Sequence, residues 1–202
     1  SRAPLLPVLH PLFVSWTRTR LLTQSLKKGC WSQEAQEQYE WLLRHLMRLT
    51  RSDGSLTFCA DNANDWSADM FAAALELDGD DGDHAAAHAM LPGRTVAADA
   101  DFDDDDLPAA SINSEWAGIA VLSPRWSKAA PRLSIAYATE PFQLELECGR
   151  DLLFSGNWSF ALKCDGQTVE IDDDEWEEQI WQSDEDCDFL ELVIELSHGL
   201  RI

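Results

Sequence analysis

The chain has 202 residues, 45% hydrophobic, 9% aromatic and 26% charged, a globular share that excludes disorder over most of its length. Its 37 acidic against 15 basic residues leave a formal net charge of −22. That charge repels phosphate backbones and anionic bilayers, so nucleic acid and membrane surfaces are excluded as general electrostatic partners, and no run of 18 apolar residues is present to cross a bilayer.

Residues 1–51 carry a net +5 and residues 52–202 a net −27, and the break falls where the local pattern also changes. Apolar residues from Leu5 to Val14 run straight into a helix over 12–28, which Gly29 closes. Ser32 caps a second helix, in which Ala35, Tyr39, Leu42, Leu46 and Leu49 share one face. Glu34, Glu37, Glu40, Arg44, Arg48 and Arg51 line the other, and Asp53-Gly54 ends this αα-hairpin. Ser67 caps a third helix, with Trp66 and Phe71 placed as a hydrophobic staple. The run 78–83 reads as a turn, and a short Ala-rich helix over 84–91 ends at Pro92-Gly93. Two helical hairpins in succession are the unit of a toroid, solenoid or bundle.

Residues 93–113 read as an acidic, solvated linker. From Trp116 the hydrophobic period becomes two. Strands are expected over 117–123, 133–138, 142–148, 151–155, 158–164, 168–171, 175–182 and 189–196, with turns at 149–151, Gly156-Asn157 and Asp165-Gly166. The organisation is therefore α then β: helical hairpins over 1–92, the linker over 93–113, and an antiparallel sandwich or barrel over 114–202. The apolar start, and an end on Gly199-Leu200-Arg201-Ile202 that reads as an opening strand, lead us to expect an interior piece of a longer protein.

Chemical motifs are sparse. No G-x-S-x-G, phosphate-cradling loop or dinucleotide fingerprint occurs, so no cofactor is expected. The five cysteines are an odd number without C-x-x-C, and they read as buried free thiols. The acidic runs near Asp61, Asp78 and Asp99 lack the Gly and Glu register of a calcium loop and read as solvated loops; no metal is expected. His84 and His88 stand at i, i+4, but Ala85 occupies the place where a metalloprotease helix carries Glu, so they read as a surface pair. His10 and His45 read as polar edges of the first hairpin. Nine tryptophans admit two readings, core packing or stacking on sugar rings. Trp176 and Trp181, five apart, face opposite ways in a regular strand.

Residues 114–122 (SEWAGIAVL) with Trp126 and Pro131-Arg132-Leu133, then 152–158 (LLFSGNW), 176–184 (WEEQIWQSD) and 190–201, resemble the bacterial heparinase II/III-like group. The resemblance rests on structural Trp and Gly positions. It implies an α/α toroid followed by an antiparallel β-sandwich, and a lyase of an acidic, uronic polysaccharide acting by β-elimination. The catalytic Tyr and His of that group have no match by position: Tyr39 lies on a helical face and Tyr137 in a strand. The alternative is a non-catalytic carbohydrate-binding or structural protein of the same architecture; a helical scaffold for protein partners is a third. For a polysaccharide partner the substrate-binding candidates are Arg44, Arg48 and Trp181, the two arginines belonging to a basic stripe that continues to Arg51. In the plainer reading that stripe is only a solvated helix face.

Overall fold

Helices precede antiparallel strands in the computed structural model, which describes residues 5–26, 31–59, 68–91, 107–138, 141–159, 162–164, 166–169, 176–184 and 187–195. Helix α1 spans Leu6–Ser25. It begins earlier than the expected residue 12, because Pro7 sits in the first turn, where a missing N–H costs nothing. Pro11, inside the helix, removes one backbone bond without ending it. Its buried row is Leu6, His10, Phe13 and Thr17, while Leu5, Val8, Leu12 and Leu22 remain exposed. Helix α2, Gln33–Leu49, is capped by the Ser32 hydroxyl, which accepts from the Ala35 N–H, and it buries Tyr39, Leu42, Leu46 and Leu49 as the period requires.

Helices α3 (Ala68–Asp78) and α4 (Asp81–Met90) follow. The caps assigned to Ser67 and Trp66 lie outside the described residues. Residues 78–83 are not the expected turn. Asp80 and Asp83 form a reciprocal capping box, which starts α4 three residues early. The helical core joins Phe13, Tyr39, Leu43, Leu46, Phe71 and Leu75, and it takes in Trp126 from the strand half.

Strands β1 (Ile112–Ser114), β2 (Ile119–Leu122), β3 (Pro131–Ala136), β4 (Phe142–Cys148) and β5 (Asp151–Trp158) form one antiparallel sheet in chain order. Two further hairpins stand apart as sheets, β6 (Leu162–Cys164) with β7 (Gln167–Val169) and β8 (Glu177–Ser183) with β9 (Asp188–Val193). No helix follows residue 116 among the described residues. The turn at Gly149-Arg150 is present, with φ +66° at Gly149, and Cys164 opposite Gln167 leaves the expected two-residue loop. Gly156-Asn157 is not a turn. It lies within β5 opposite Leu144 and Gln143, because β4 continues beside it and pairing overrides the local signal.

Residues 93–106 of the expected linker lie outside the described residues, but Leu107 and Ala110 pack on the helical core and β1 begins at Ile112. Residues 107–113 are therefore part of the packed structure, not a solvated tether. Helices and sheet also share a second cluster, in which Leu6 and Leu49 meet Ile119, Val121 and Ala136. The far face of the sheet buries Ala120, Ile135 and Tyr137, with Leu144, Trp176, Leu190 and Leu192 packed on them, so β8–β9 covers that side.

Candidate functional site

Two constructions meet at the C-terminal half of α2. The first is a polar joint. A helix end leaves backbone carbonyls without partners. Arg132 of β3 supplies them: its guanidinium donates to the carbonyls of Arg48 (3.1 Å) and Thr50 (2.5 Å). A cation there also complements the helix dipole. Arg132 pairs with Glu147, its cross-strand neighbour on β4, and Glu147 accepts from the Ser52 N–H (3.0 Å). Burial holds the Arg132 guanidinium below its ordinary pKa despite Glu147 beside it.

Two residues along β4, Glu145 accepts a two-pronged bond from Arg51, both contacts at 2.7 Å. It also accepts from the Ser155 hydroxyl (3.0 Å) and the Phe58 N–H (3.2 Å). Hydrogen bonding to Glu145 raises the Arg51 pKa. Phe58 holds a left-handed backbone, φ +62°, rare for an aromatic residue, and its N–H is spent on this carboxylate. Strand β4 therefore turns its polar side, with Glu145 at 2% exposure, toward the helices, and Phe142 and Leu144 toward β8–β9.

The basic stripe is correspondingly not a solvated face. Arg44 donates to Asp83 at 2.7 and 3.0 Å and to Asp80 at 2.8 Å, and its pKa is raised by the Asp83 bond. Asp83 itself is fully buried, so the acidic run 78–83 is structural rather than a solvated loop. Arg48, 7% exposed, donates Nε (3.0 Å) and a terminal nitrogen (2.7 Å) to the Ala109 carbonyl and lies 5.5 Å over the Trp126 ring. On α1, Arg20 pairs with Asp78 and lies 4.9 Å over Trp31. The expectation of a solvated row fails because α4, residues 107–110 and β4 all close on it. Trp181 is half-buried on β8 opposite Leu190, and Trp176 packs edge-on to Phe142; a register shift between Glu178 and Ile180 breaks the simple alternation assumed for the two indoles. The apolar groove between α1, α2 and the β1–β2 hairpin is lined by Arg48 but by neither Arg44 nor Trp181.

The second construction is a groove of about 370 Å³ between α1, α2 and the β1–β2 hairpin. Its walls include Val8, Leu12, Ile119 and Val121; Trp41 and Trp116, the latter 73% exposed, also line it. Gly118 makes the hairpin possible: it has φ +60°, and a Cβ there would stand 2.3 Å from the Ala138 Cβ. His45 and Arg48 are the basic groups lining the groove. His45, expected at a polar edge, is 9% exposed, and burial pushes its pKa down to about 3, with Arg48 adding to the effect. His10 is buried as well, because it falls in the inward row of α1. Burial likewise lowers the Arg48 pKa to about 10. Sequence periodicity missed this groove, since its residues come from three separated segments. The surplus of leucines on the outer side of α1 was the available signal.

Other candidates are inert or remote. Burial pushes both tyrosines up to about 12; the Tyr39 hydroxyl is 2.6 Å from that of Thr17, and Tyr137 donates to Asn113 at 3.0 Å. The thiols of Cys59, Cys148 and Cys187 are free, but Cys148 and Cys187 are exposed rather than buried, because they sit at hairpin ends. His84 is half-buried and His88 exposed. Among the described residues no group of three His, Cys, Asp or Glu side chains is placed to hold a metal, and no helix is long and apolar enough to cross a membrane. The acidic runs near Asp61 and Asp99 lie outside the described residues. Comparison with protein-family models, curated proteins and solved structures gives no match.

Proposed function

We propose that this chain is the helix-to-sheet junction of a heparinase II/III-like protein, in which an α/α toroid precedes an antiparallel β-sandwich, and that the whole protein cleaves an acidic, uronic polysaccharide by β-elimination. The observation that supports this most is the order and coupling of the halves: four helices, then an antiparallel sheet, with the end of α2 bound to β3 and β4 through Arg132, Glu147, Arg51 and Glu145. In this reading the described residues are the frame. A base abstracts the proton α to the uronate carboxyl and a cation or hydrogen-bond donor stabilises the enolate; those groups lie elsewhere in the protein. Arg44 and Arg48 support the frame from within, and Trp181 is the aromatic available for a sugar face.

A second reading is favoured by one observation. The tyrosines and Arg44, Arg48 and Arg51 are already engaged internally, which suits a non-catalytic carbohydrate-binding or structural protein of the same architecture. Incubation of the whole protein with sulfated and unsulfated uronic polysaccharides separates the two. Rising ultraviolet absorbance from the unsaturated product supports the lyase. Binding without that product supports a carbohydrate-binding protein, and neither binding nor product removes both of these and leaves the structural protein.

A further inference from the structure

A chain of net charge −22 repels an acidic polysaccharide, so binding one requires cations gathered in one place and left without partners. The α2 stripe does not supply them. Arg44 and Arg51 are engaged by carboxylates, and Arg48 is buried against the Ala109 carbonyl. In the strand half the cations among the described residues are Arg125, Lys128, Arg132, Arg150 and Lys163. Arg132 is buried and pairs with Glu147. The other four are exposed, and none has a carboxylate within ion-pair distance among the described residues.

Arg125, Lys128 and Arg150 stand at one end of the five-stranded sheet. The first two belong to the segment between β2 and β3, and Arg150 follows Gly149 in the β4–β5 turn. Pro131 pairs with Cys148, which sets the segment beside the turn, and a Cβ at Gly149 would stand 3.9 Å from the Lys128 carbonyl oxygen. The segment is held from beneath. Trp126 is buried, and its indole N–H donates to the Pro108 carbonyl. The Lys128 N–H donates to the Ala89 carbonyl in the last turn of α4 (3.2 Å), and the Ser123 hydroxyl donates to the Arg125 carbonyl (3.1 Å). With this backbone already fixed, binding orders side chains only. The α4 dipole accounts for a cation at Lys128; it does not account for Arg125 or Arg150. Asp151, next to Arg150 in the chain, is exposed and forms no ion pair with it, so the rim carries three cations against one acid.

We propose that this rim binds the acidic polysaccharide, with Arg125, Lys128 and Arg150 pairing uronate carboxylates of one glycan chain. The inference rests on the uronic-polysaccharide reading above and adds where that chain lies. Guanidinium groups suit carboxylates, which accept two-pronged bonds. An exposed ion pair is worth little alone. Several pairs on one polymer reinforce each other, which favours a polyanion over a small anion.

The test is binding of the whole protein, in the cold, to immobilised polygalacturonate, alginate and chondroitin sulfate, with dextran and double-stranded DNA as controls. At least one acidic glycan binds, and dextran and DNA bind more weakly by roughly tenfold or more. Arg125→Gln with Lys128→Gln weakens that glycan by roughly tenfold or more and flattens its salt dependence. Adding Arg150→Gln weakens it further. Arg18→Gln with Lys163→Gln removes as much charge from α1 and from β6, which follows the far end of β5, and leaves affinity within about twofold. Every substituted side chain is exposed, so the melts coincide. No binding of any acidic glycan, equal losses in the two double variants, or DNA binding as tightly as the glycan overturns the proposal. The unsaturated product is read on the same proteins. A glycan bound at the rim without product keeps the rim and removes the lyase; product with unchanged affinity in the rim variants keeps the lyase and removes the rim.

Discussion

The two sides of α2's last turns solve opposite problems with the same residue types. At the joint, Arg51 and Arg132 meet Glu145 and Glu147, and every carboxylate has two or more donors. At the groove, Arg48 meets a carbonyl, an aromatic face and an imidazole, and His45 keeps a donor idle. A satisfied polar network holds two layers of structure in one geometry. An incomplete one costs stability, because each idle buried group keeps its desolvation penalty. The difference shows that a basic stripe read from periodicity is not one functional unit: Arg44 serves α4, Arg48 serves the segment 107–110 and Arg51 serves the sheet.

The largest expected effect lies at the joint, which couples the two halves. Glu145→Ala strands the Arg51 guanidinium and the Phe58 N–H in a buried setting, a loss of roughly 3–5 kcal/mol for breaking one side of such a pair. Replacing both partners, Arg51→Met with Glu145→Met, restores at least half of the loss, since apolar groups need no partner. Urea midpoints of the three proteins check this. A single-variant loss below about 1 kcal/mol means the coupling resides in the apolar cluster of Leu6, Leu49, Ile119 and Val121.

A smaller effect sharpens the groove side. The His45 pKa is about 3 in the fold, against about 6.5 in the unfolded chain. The folded ring stays neutral while the unfolded one takes up a proton below 6.5. Its contribution is therefore fully present above pH 6.5 and is lost as the pH falls toward 3, at about 1.4 kcal/mol per pH unit. Between pH 7 and pH 5 the protein should lose roughly 2 kcal/mol more than His45→Phe does. Equal losses, read from denaturation at the two pH values, mean that His45 is protonated in the fold and offers no idle neutral donor.

Helix-then-strand order and the inward face of α2 were legible, because both depend on periodicity within a single segment. Side assignment was not. In β4 the alternation of Leu with Glu is plain, yet the glutamates are the residues turned toward the helices, because β3 and the 50–58 loop bring arginines and N–H groups to meet them. No one-dimensional pattern carries that information. The turn read at residues 78–83 failed for a related reason: Asp-Gly-Asp-Asp-Gly-Asp signals a loop until Arg44, 39 positions before Asp83, neutralises the cap. The groove is legible only in three dimensions, since α1, α2 and β1–β2 each supply part of it.

The smallest effect on stability concerns the sheet's outer strand. β5 is exposed along its length, including Leu152, Leu153, Phe154 and Trp158, and β4 is its only strand partner among the described residues. An apolar edge with unpaired N–H and C=O groups is a template for another strand. In a chain of net charge −22 this stretch is unusually permissive, because Asp151 is its only charged residue. Repulsion between copies is therefore weakest where backbone pairing is easiest. Leu153→Lys places a charge on that edge. Leu153 is 60% exposed, so stability should change by no more than about 0.5 kcal/mol. Association should fall clearly, and the gap between the two proteins should widen with added salt, which screens the long-range repulsion between unmodified chains. Sedimentation velocity at low and high ionic strength reads both effects. If the unmodified protein stays monomeric at high salt, β5 is covered by residues beyond those described, and the exposed edge is no more a template than the satisfied joint beside it.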